Sequence, residues 1–185
     1  MCWRSAIPQS AWHCLEAKGG GVGSLPVRSD LQVLSKKLLQ DMTTFHVERI
    51  DHIVLRVTDL ERSIAFYREV LGCPVVKRRD DLGLVHLKAG TSMIDLISVD
   101  GAIGKCGGSA AGSEARNVDH LCLRVEPFNE PSLVQHLAQF GVRSIGPAEN
   151  NFGAEGDGLS LYIHDPDGNL IELKGPSRDG TTGVI

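Results

Sequence analysis

The chain has 185 residues, of which 42% are hydrophobic and 23% are charged, a composition ordinary for one globular domain with a real core. A formal net charge of −4 argues against a nucleic-acid partner, since such proteins carry clustered basic charge. No apolar run approaches the roughly 20 residues that span a bilayer, so we expect a cytoplasmic protein without a membrane partner.

The five cysteines are widely spread, and none forms a Cys-x-x-Cys pair. An odd count at these spacings argues against a disulfide framework and against a cysteine-based zinc site. We therefore expect free thiols in a reducing compartment.

Residues 1–44 differ from the remainder of the chain. They contain the flexible break GGGVGS at 19–24, and their one periodic stretch, 30–42, predicts a short amphipathic helix. We expect a poorly ordered extension, a domain over 45–176 and a tail over 177–185. Met42 stands just before the ordered pattern, which suggests that translation starts there or that the extension is dispensable. Mass spectrometry of the natively expressed protein would contradict the first idea by finding the full-length N-terminus.

An internal repeat is the strongest signal in the sequence. RIDHIVLRV at 49–57 recurs as NVDHLCLRV at 117–125. Both segments alternate in character and are rich in aliphatic and β-branched residues, as strands are. Such self-similarity indicates a repeated structural unit.

A helix is predicted after each of these strands. In the first half, Thr58 and Glu61 form a capping box, and Gly72 suits the position after the last turn. In the second half, Pro131 lies near the helix start and Gly141 follows its end.

Short strand-like segments follow each helix, at 74–80, 82–90, 92–99, 142–150, 158–165 and 169–176. Asp-Pro-Asp-Gly at 165–168 predicts a hairpin turn, and the Gly-rich stretch 150–158 predicts an insertion that forms a mobile lip. The whole pattern predicts an α+β fold of two tandem βαβββ modules, at about 47–100 and 117–175. A Gly/Ala/Ser-rich linker over 101–116 joins them.

Strand alternation places two kinds of metal-ligating side chain on the face that points away from the helices. His52 and His120 begin the repeated strands, while Asp95 and Glu172 occupy equivalent positions on the closing strands. One such residue alone would be an ordinary polar side chain. Occurring in both repeats, they predict a site for one divalent metal ion, because imidazole and carboxylate suit Mn, Fe, Co, Ni or Zn. His86 and His136 have no partner pattern and receive no role.

HIVLRV, HLCLRV and HDPDGNLIEL resemble the glyoxalase/bleomycin-resistance/extradiol-dioxygenase superfamily, also called vicinal oxygen chelate, over about residues 47–175. The resemblance implies that two modules enclose a metal-binding cleft. His52, His120 and Glu172 match the usual ligand positions, and Asp95 matches a fourth position where some relatives have no ligand. The resemblance also implies a homodimer, in which modules of both chains sometimes complete each site.

The leading functional expectation is a metal-dependent lyase or isomerase, similar to lactoylglutathione lyase, that acts on a small oxygenated or thiol-conjugated metabolite. It would stabilise an enediolate-type intermediate, with Glu172 or the shorter Asp95 as general base. Arg56, Arg124 and Tyr162 are candidate substrate-binding residues. The alternative is that the arginines reach the surface or pair with acids and that the tyrosine is a packing residue.

Three other functions stay open. Two histidines and one carboxylate also suit an Fe(II) ring-cleaving dioxygenase, which oxygen uptake with catechols would reveal. A non-enzymatic drug-binding protein of the bleomycin-resistance type is disfavoured by the retained ligand positions. Thiol transfer to an epoxide antibiotic is the third.

Overall fold

The structure, a computed structural model, describes residues 44–110, 112, 114 and 116–178. The chain divides into a unit that ends at Glu48 and a second unit that begins at Arg49. Of the first unit, the described residues 44–48 have no helix or strand. The predicted extension before them, its helix at 30–42, the hypothesis about Met42 and the end of the tail lie outside the described residues.

The first module contains one helix and four strands. Its sheet has the order β1-β4-β3-β2, in which β1 runs parallel to β4 and the other neighbours are antiparallel. The helix α1 continues as a π-helical turn over Phe66–Val70. The elements are β1 His52–Val57, α1 Leu60–Ala65, β2 Val75–Arg79, β3 Leu84–Ala89 and β4 Ser92–Ser98.

The second module repeats this arrangement, with the sheet order β5-β8-β7-β6 and a parallel pair of β5 and β8. The α+β fold of two tandem βαβββ modules is thereby confirmed. Within the described part of the chain, no helix is long and apolar enough to span a membrane. The elements are β5 His120–Arg124, α2 Glu130–Gln139, β6 Glu149–Gly153, β7 Gly156–His164 and β8 Leu170–Lys174.

The core forms between the helices and one face of each sheet, as the alternating pattern predicts. Gly72 and Gly141 follow the helices with φ of 69° and 70°, a conformation that glycine adopts without a steric penalty. On the opposite face of β1, Val54 is 43% exposed. The buried aliphatic residues of the strands are Val57, Val85, Leu87, Ile94, Leu96, Leu161, Ile163, Ile171 and Leu173.

The cap of α1 differs from the predicted capping box. The Asp59 carboxylate, not Thr58, accepts the backbone N–H three residues later, at 3.0 Å. The Thr58 hydroxyl instead donates to Asp167 of the second module at 2.6 Å. Glu61 pairs with Arg78 on β2 at 2.6 Å rather than reaching back to the cap. Contacts from outside the helix therefore decide which side chain caps it.

The strand predicted over 142–150 is misplaced, because β6 begins only at Glu149. The stretch 150–158 is not a loop: it supplies most of β6 and the start of β7. Its glycines accommodate the buried Lys174, since a Cβ on Gly153 would lie 2.5 Å from the lysine Cε. The Lys174 ammonium donates to the carbonyls of Asn151 and Gly158 beneath the hairpin.

The two modules contact each other through α1 and the turn before β8. The buried Tyr67 hydroxyl donates to Asp165 at 2.8 Å. Burial, together with that carboxylate, raises the pKa of the tyrosine well above its usual range. On the neighbouring surface, His136 of α2 lies 2.8 Å from the carbonyl of Val70. These contacts join the two modules on the helix side of their sheets.

Candidate metal centre

The second module holds a buried carboxylate in contact with an imidazole. Glu172 on β8 is 5% exposed, and its Oε2 lies 3.0 Å from Nε2 of His120 on β5. Ser160 on β7 donates to the other oxygen, Oε1, at 2.5 Å. Tyr162 lies across from Glu172 in the β7–β8 register, and its ring meets the edge of His120 with centroids 5.9 Å apart. Burial and the Glu172 charge raise the pKa of Tyr162.

Each predicted histidine ligand has an aspartate partner that the sequence analysis missed. Asp51 lies 2.8 Å from Nδ1 of His52, and Asp119 lies 2.8 Å from Nδ1 of His120. These hydrogen bonds are the main reason why the pKa of both histidines is raised. A carboxylate on Nδ1 leaves Nε2 as the ligating atom, as in many metal sites. The signal was available: aspartate precedes histidine in both copies of the repeat.

The first module holds a second imidazole–carboxylate pair, but with a different histidine. Asp95 on β4 is 5% exposed, and its Oδ1 lies 2.8 Å from Nδ1 of His86 on β3. The two atoms are close but not aligned for a hydrogen bond, so both are buried without a hydrogen-bond partner. The Asp95 charge also contributes, after Asp51, to the raised pKa of His52.

The four predicted ligands lie in two pairs on neighbouring parallel strands, His52 with Asp95 and His120 with Glu172, which we call candidate half-sites. In the described residues, no three His, Cys, Asp or Glu side chains are grouped so as to hold a metal ion. Two cavities of about 420 and 550 Å³ lie elsewhere, and none of the four predicted ligands lines either of them. Of the four, the two carboxylates are buried, while the imidazoles of His52 and His120 are 46% and 35% exposed.

The donor atoms of both half-sites fit a divalent ion. Two ligands about 2.1 Å from an ion and roughly at right angles stand about 3 Å apart. The contact of His120 with Glu172 has this separation, and that of His86 with Asp95 is close to it. Buried polar atoms without partners are rare in proteins, and the unpaired atoms of His86 and Asp95 are of the kind that a cation satisfies.

Both candidate substrate-binding arginines are occupied within the chain. The Arg124 guanidinium pairs with Glu126 at 3.0 Å and Glu155 at 2.7 Å, as the structural alternative describes. Among the described residues, the Arg56 guanidinium donates to backbone carbonyls of the linker. Those carbonyls belong to Gly104, Gly107, Gly108 and Ser109. A substrate contact of Arg56, Arg124 or Tyr162 stays a prediction.

The cysteines in the described residues, Cys73, Cys106 and Cys122, are free, as expected. Cys122 lies beside Glu172 in the β5–β8 register. Poor hydration, followed by the neighbouring carboxylate, raises the pKa of this thiol to about 12. A raised pKa disfavours the thiolate, which is the nucleophilic form of cysteine, so nothing at this position activates Cys122 as a nucleophile in the metal-free protein.

Comparison with known proteins identifies relatives over most of the chain. A family model described as the Glyoxalase/Bleomycin resistance protein/Dioxygenase superfamily matches residues 49–173. Virulence protein STM3117 of Salmonella typhimurium is 36% identical over 128 residues, covering 69% of this chain and 83% of its own. Its crystal structure matches with a TM-score of 0.59 and 30% identity, over 72% of this chain and all of that one.

Two further relatives are named as an epimerase and as a glyoxalase domain-containing protein. Human mitochondrial methylmalonyl-CoA epimerase is 26% identical, over 71% of this chain and 76% of its own. A glyoxalase domain-containing protein, RDO1, of Mycosarcoma maydis is 31% identical over 92% of both chains.

Proposed function

Since the chain belongs to the Glyoxalase/Bleomycin resistance protein/Dioxygenase superfamily, we propose that it is a metal-dependent isomerase or lyase acting on a small oxygenated or thiol-conjugated metabolite in the cytoplasm. The observation that carries the proposal is the buried Glu172, anchored by Ser160 and in contact with His120. A buried carboxylate that a hydroxyl holds at Oε1, with Oε2 beside an imidazole, suits both metal binding and proton transfer. The human relative named as an epimerase supports the same reaction class.

We propose that His52 and Asp95 of one chain, with His120 and Glu172 of a second copy, hold one divalent ion of Mn, Fe, Co, Ni or Zn. His52 lies on β1 and His120 on β5, which are the edge strands of their sheets. Edge strands carry unpaired backbone groups that favour pairing with another chain. Placing β1 of each copy beside β5 of the other gives a twofold homodimer with two equal sites.

In this site, a bound ion would polarise oxygen atoms of the substrate and acidify the neighbouring C–H bond. The Ser160 hydroxyl holds Oε1 of Glu172, so Oε2 is the oxygen that would bind the ion in the resting site. For proton transfer, Oε2 would leave the ion, receive the proton from the substrate carbon and return it. The low exposure of this carboxylate limits competition by water. The Tyr162 hydroxyl, which accepts a hydrogen bond from Asn151 at 3.2 Å, keeps its own proton to donate to a substrate oxygen.

The first test is the metal content of the purified full-length protein, measured by elemental analysis. We expect about one divalent ion per chain, lost in His120→Ala and in Glu172→Ala. Glu149→Ala, on the hairpin strand β6, is the matched control and should keep the metal. Folded protein that refuses Mn, Fe, Co, Ni and Zn would contradict the enzyme proposal and leave a binding protein.

The reaction class is tested with metal-loaded protein in heavy water. Exchange of the proton next to a thioester carbonyl, first in methylmalonyl-CoA, would support proton transfer by Glu172. Exchange should fall by at least about 100-fold in Glu172→Gln, the size of effect typical of a lost general base. Oxygen uptake with catechols by the Fe(II) form would instead favour ring cleavage.

A further inference from the structure

We infer that His86 is an additional ligand of the proposed metal ion, bound through Nδ1 next to Asp95; the inference rests on the proposed function. In the β3–β4 register, His86 lies directly across from Asp95. In the β7–β8 register, Tyr162 lies directly across from Glu172. His86 is therefore the repeat equivalent of Tyr162, and both side chains lie on the sheet face that carries the predicted ligands.

The contact between His86 and Asp95 is better explained by a shared cation than by a hydrogen bond. Nδ1 and Oδ1 are 2.8 Å apart, yet they are not aligned for a hydrogen bond and both are buried. Leaving such a pair unsatisfied costs about 1–3 kcal/mol for each group. An ion that accepts a lone pair from each atom removes both costs, and 2.8 Å is close to the separation of adjacent ligands.

The two modules differ in a way that explains why the first needs this histidine. In the second, Ser160 and His120 each contact one oxygen of Glu172. The residue equivalent to Ser160 is Leu84, which lies across from Ile97 and has no polar side-chain atom. Asp95 is also one methylene shorter than glutamate, and the imidazole of His86 on the adjacent strand lies 2.8 Å from its Oδ1.

A third imidazole changes which metals the centre should prefer. His52, His120 and His86 supply three nitrogen donors against the two carboxylates, Asp95 and Glu172. Sites of nitrogen and oxygen donors bind Co(II) more tightly than Mn(II) in general, and the difference grows with imidazole ligands because carboxylate oxygens suit Mn. The chain should accordingly bind Co(II) in preference to Mn(II), and removal of His86 should narrow that preference.

The test is a Co(II) titration of the full-length protein, followed by d–d absorption and by X-ray absorption, which counts imidazole ligands. His86→Ala should weaken Co(II) binding by about 10-fold or more and lower the imidazole count by one. His86→Asn keeps an N–H donor close to Asp95 but not an imidazole, so it should lose affinity as well. His164→Ala, on the exposed end of β7, is the control and should match the wild type.

The possible results separate the two proposals. Wild-type protein that binds no Co(II) contradicts the proposed function itself. If the wild type binds Co(II) and His86→Asn binds it with the same affinity and the same imidazole count, His86 is not a ligand, while the proposed function stands. Asparagine can replace a histidine that only donates a hydrogen bond, but it cannot supply an imidazole ligand. Circular dichroism of each variant identifies any loss of fold, and His86→Asn carries the test where His86→Ala is unfolded.

Discussion

At the scale of single residues, the half-sites depend on side chains that do not themselves touch the proposed ion. Asp119 and Asp51 hold the imidazoles of His120 and His52 through Nδ1 and raise the pKa of both. The same hydrogen bonds aim Nε2 away from the aspartate. An outer carboxylate of this kind orients a ligand and makes it a stronger donor.

Asp119→Asn should weaken metal binding by about 10–100-fold, the usual effect of losing an outer carboxylate. In metal-free protein, the same change should lower the pKa of His120 towards its ordinary value of about 6.5, because the main cause of the increase is removed. Metal titration and an NMR pH titration measure the two effects. Asp157→Asn, on the exposed start of β7, should change neither; equal losses in both variants would contradict the assignment.

At the scale of elements, short-range motifs set where a helix begins, while contacts from other elements decide which side chain caps it. Thr58 and Asp59 are both good N-cap residues. The Thr58 hydroxyl donates to Asp167 of the other module, and the Asp59 carboxylate therefore caps the helix. The Gly-rich hairpin of β6 and β7 likewise takes its shape from the lysine of β8 that passes beneath it.

Asp59→Ala should lower the free energy of unfolding by about 1 kcal/mol, because the first turn of α1 loses its side-chain acceptor. Asp59→Asn keeps an acceptor oxygen at the same place and should cost only a fraction of that amount. Urea unfolding followed by circular dichroism measures both. A loss as large in the asparagine variant would mean that charge, and not the cap hydrogen bond, stabilises the helix start.

At the scale of the whole molecule, the two modules contact each other on the helix side of their sheets, and the predicted ligands lie on the opposite faces. The hydrogen bonds of Tyr67 with Asp165 and of Thr58 with Asp167 tie the first module to the last turn of the second. His52 and His120 lie on edge strands of their sheets. In the proposed homodimer, each metal site would be completed by one module from each copy.

Mixing two inactive variants distinguishes shared sites from sites within one chain. His52→Ala and Glu172→Ala homodimers should each bind no metal. A heterodimer formed by unfolding and refolding them together should regain one intact site. That site joins the first module of the Glu172→Ala chain to the second module of the His52→Ala chain, and neither module is substituted. Metal content near half of the wild-type value in the isolated heterodimer would support sharing. No regain in a folded heterodimer would place each site within a chain.

The sequence by itself determined the two βαβββ modules, their β-strand faces and the equivalence of His52 with His120 and of Asp95 with Glu172. These follow from alternation and repetition, which are local properties that any folded arrangement of the chain must respect. The fold was predictable for the same reason. The aspartates before both histidines were also visible in the repeat.

Only the tertiary structure decided which side chains meet. His86 is nine positions from Asp95 along the chain, and the β3–β4 register alone brings the two into contact. The linker carbonyls that accept from Arg56 lie about 50 residues further along the chain, and Glu155 lies 31 residues beyond Arg124. Ser160 reaches Glu172 only because β7 pairs with β8. Periodicity fixes the face of a strand on which a residue lies, but the neighbour across that face depends on pairing between distant segments.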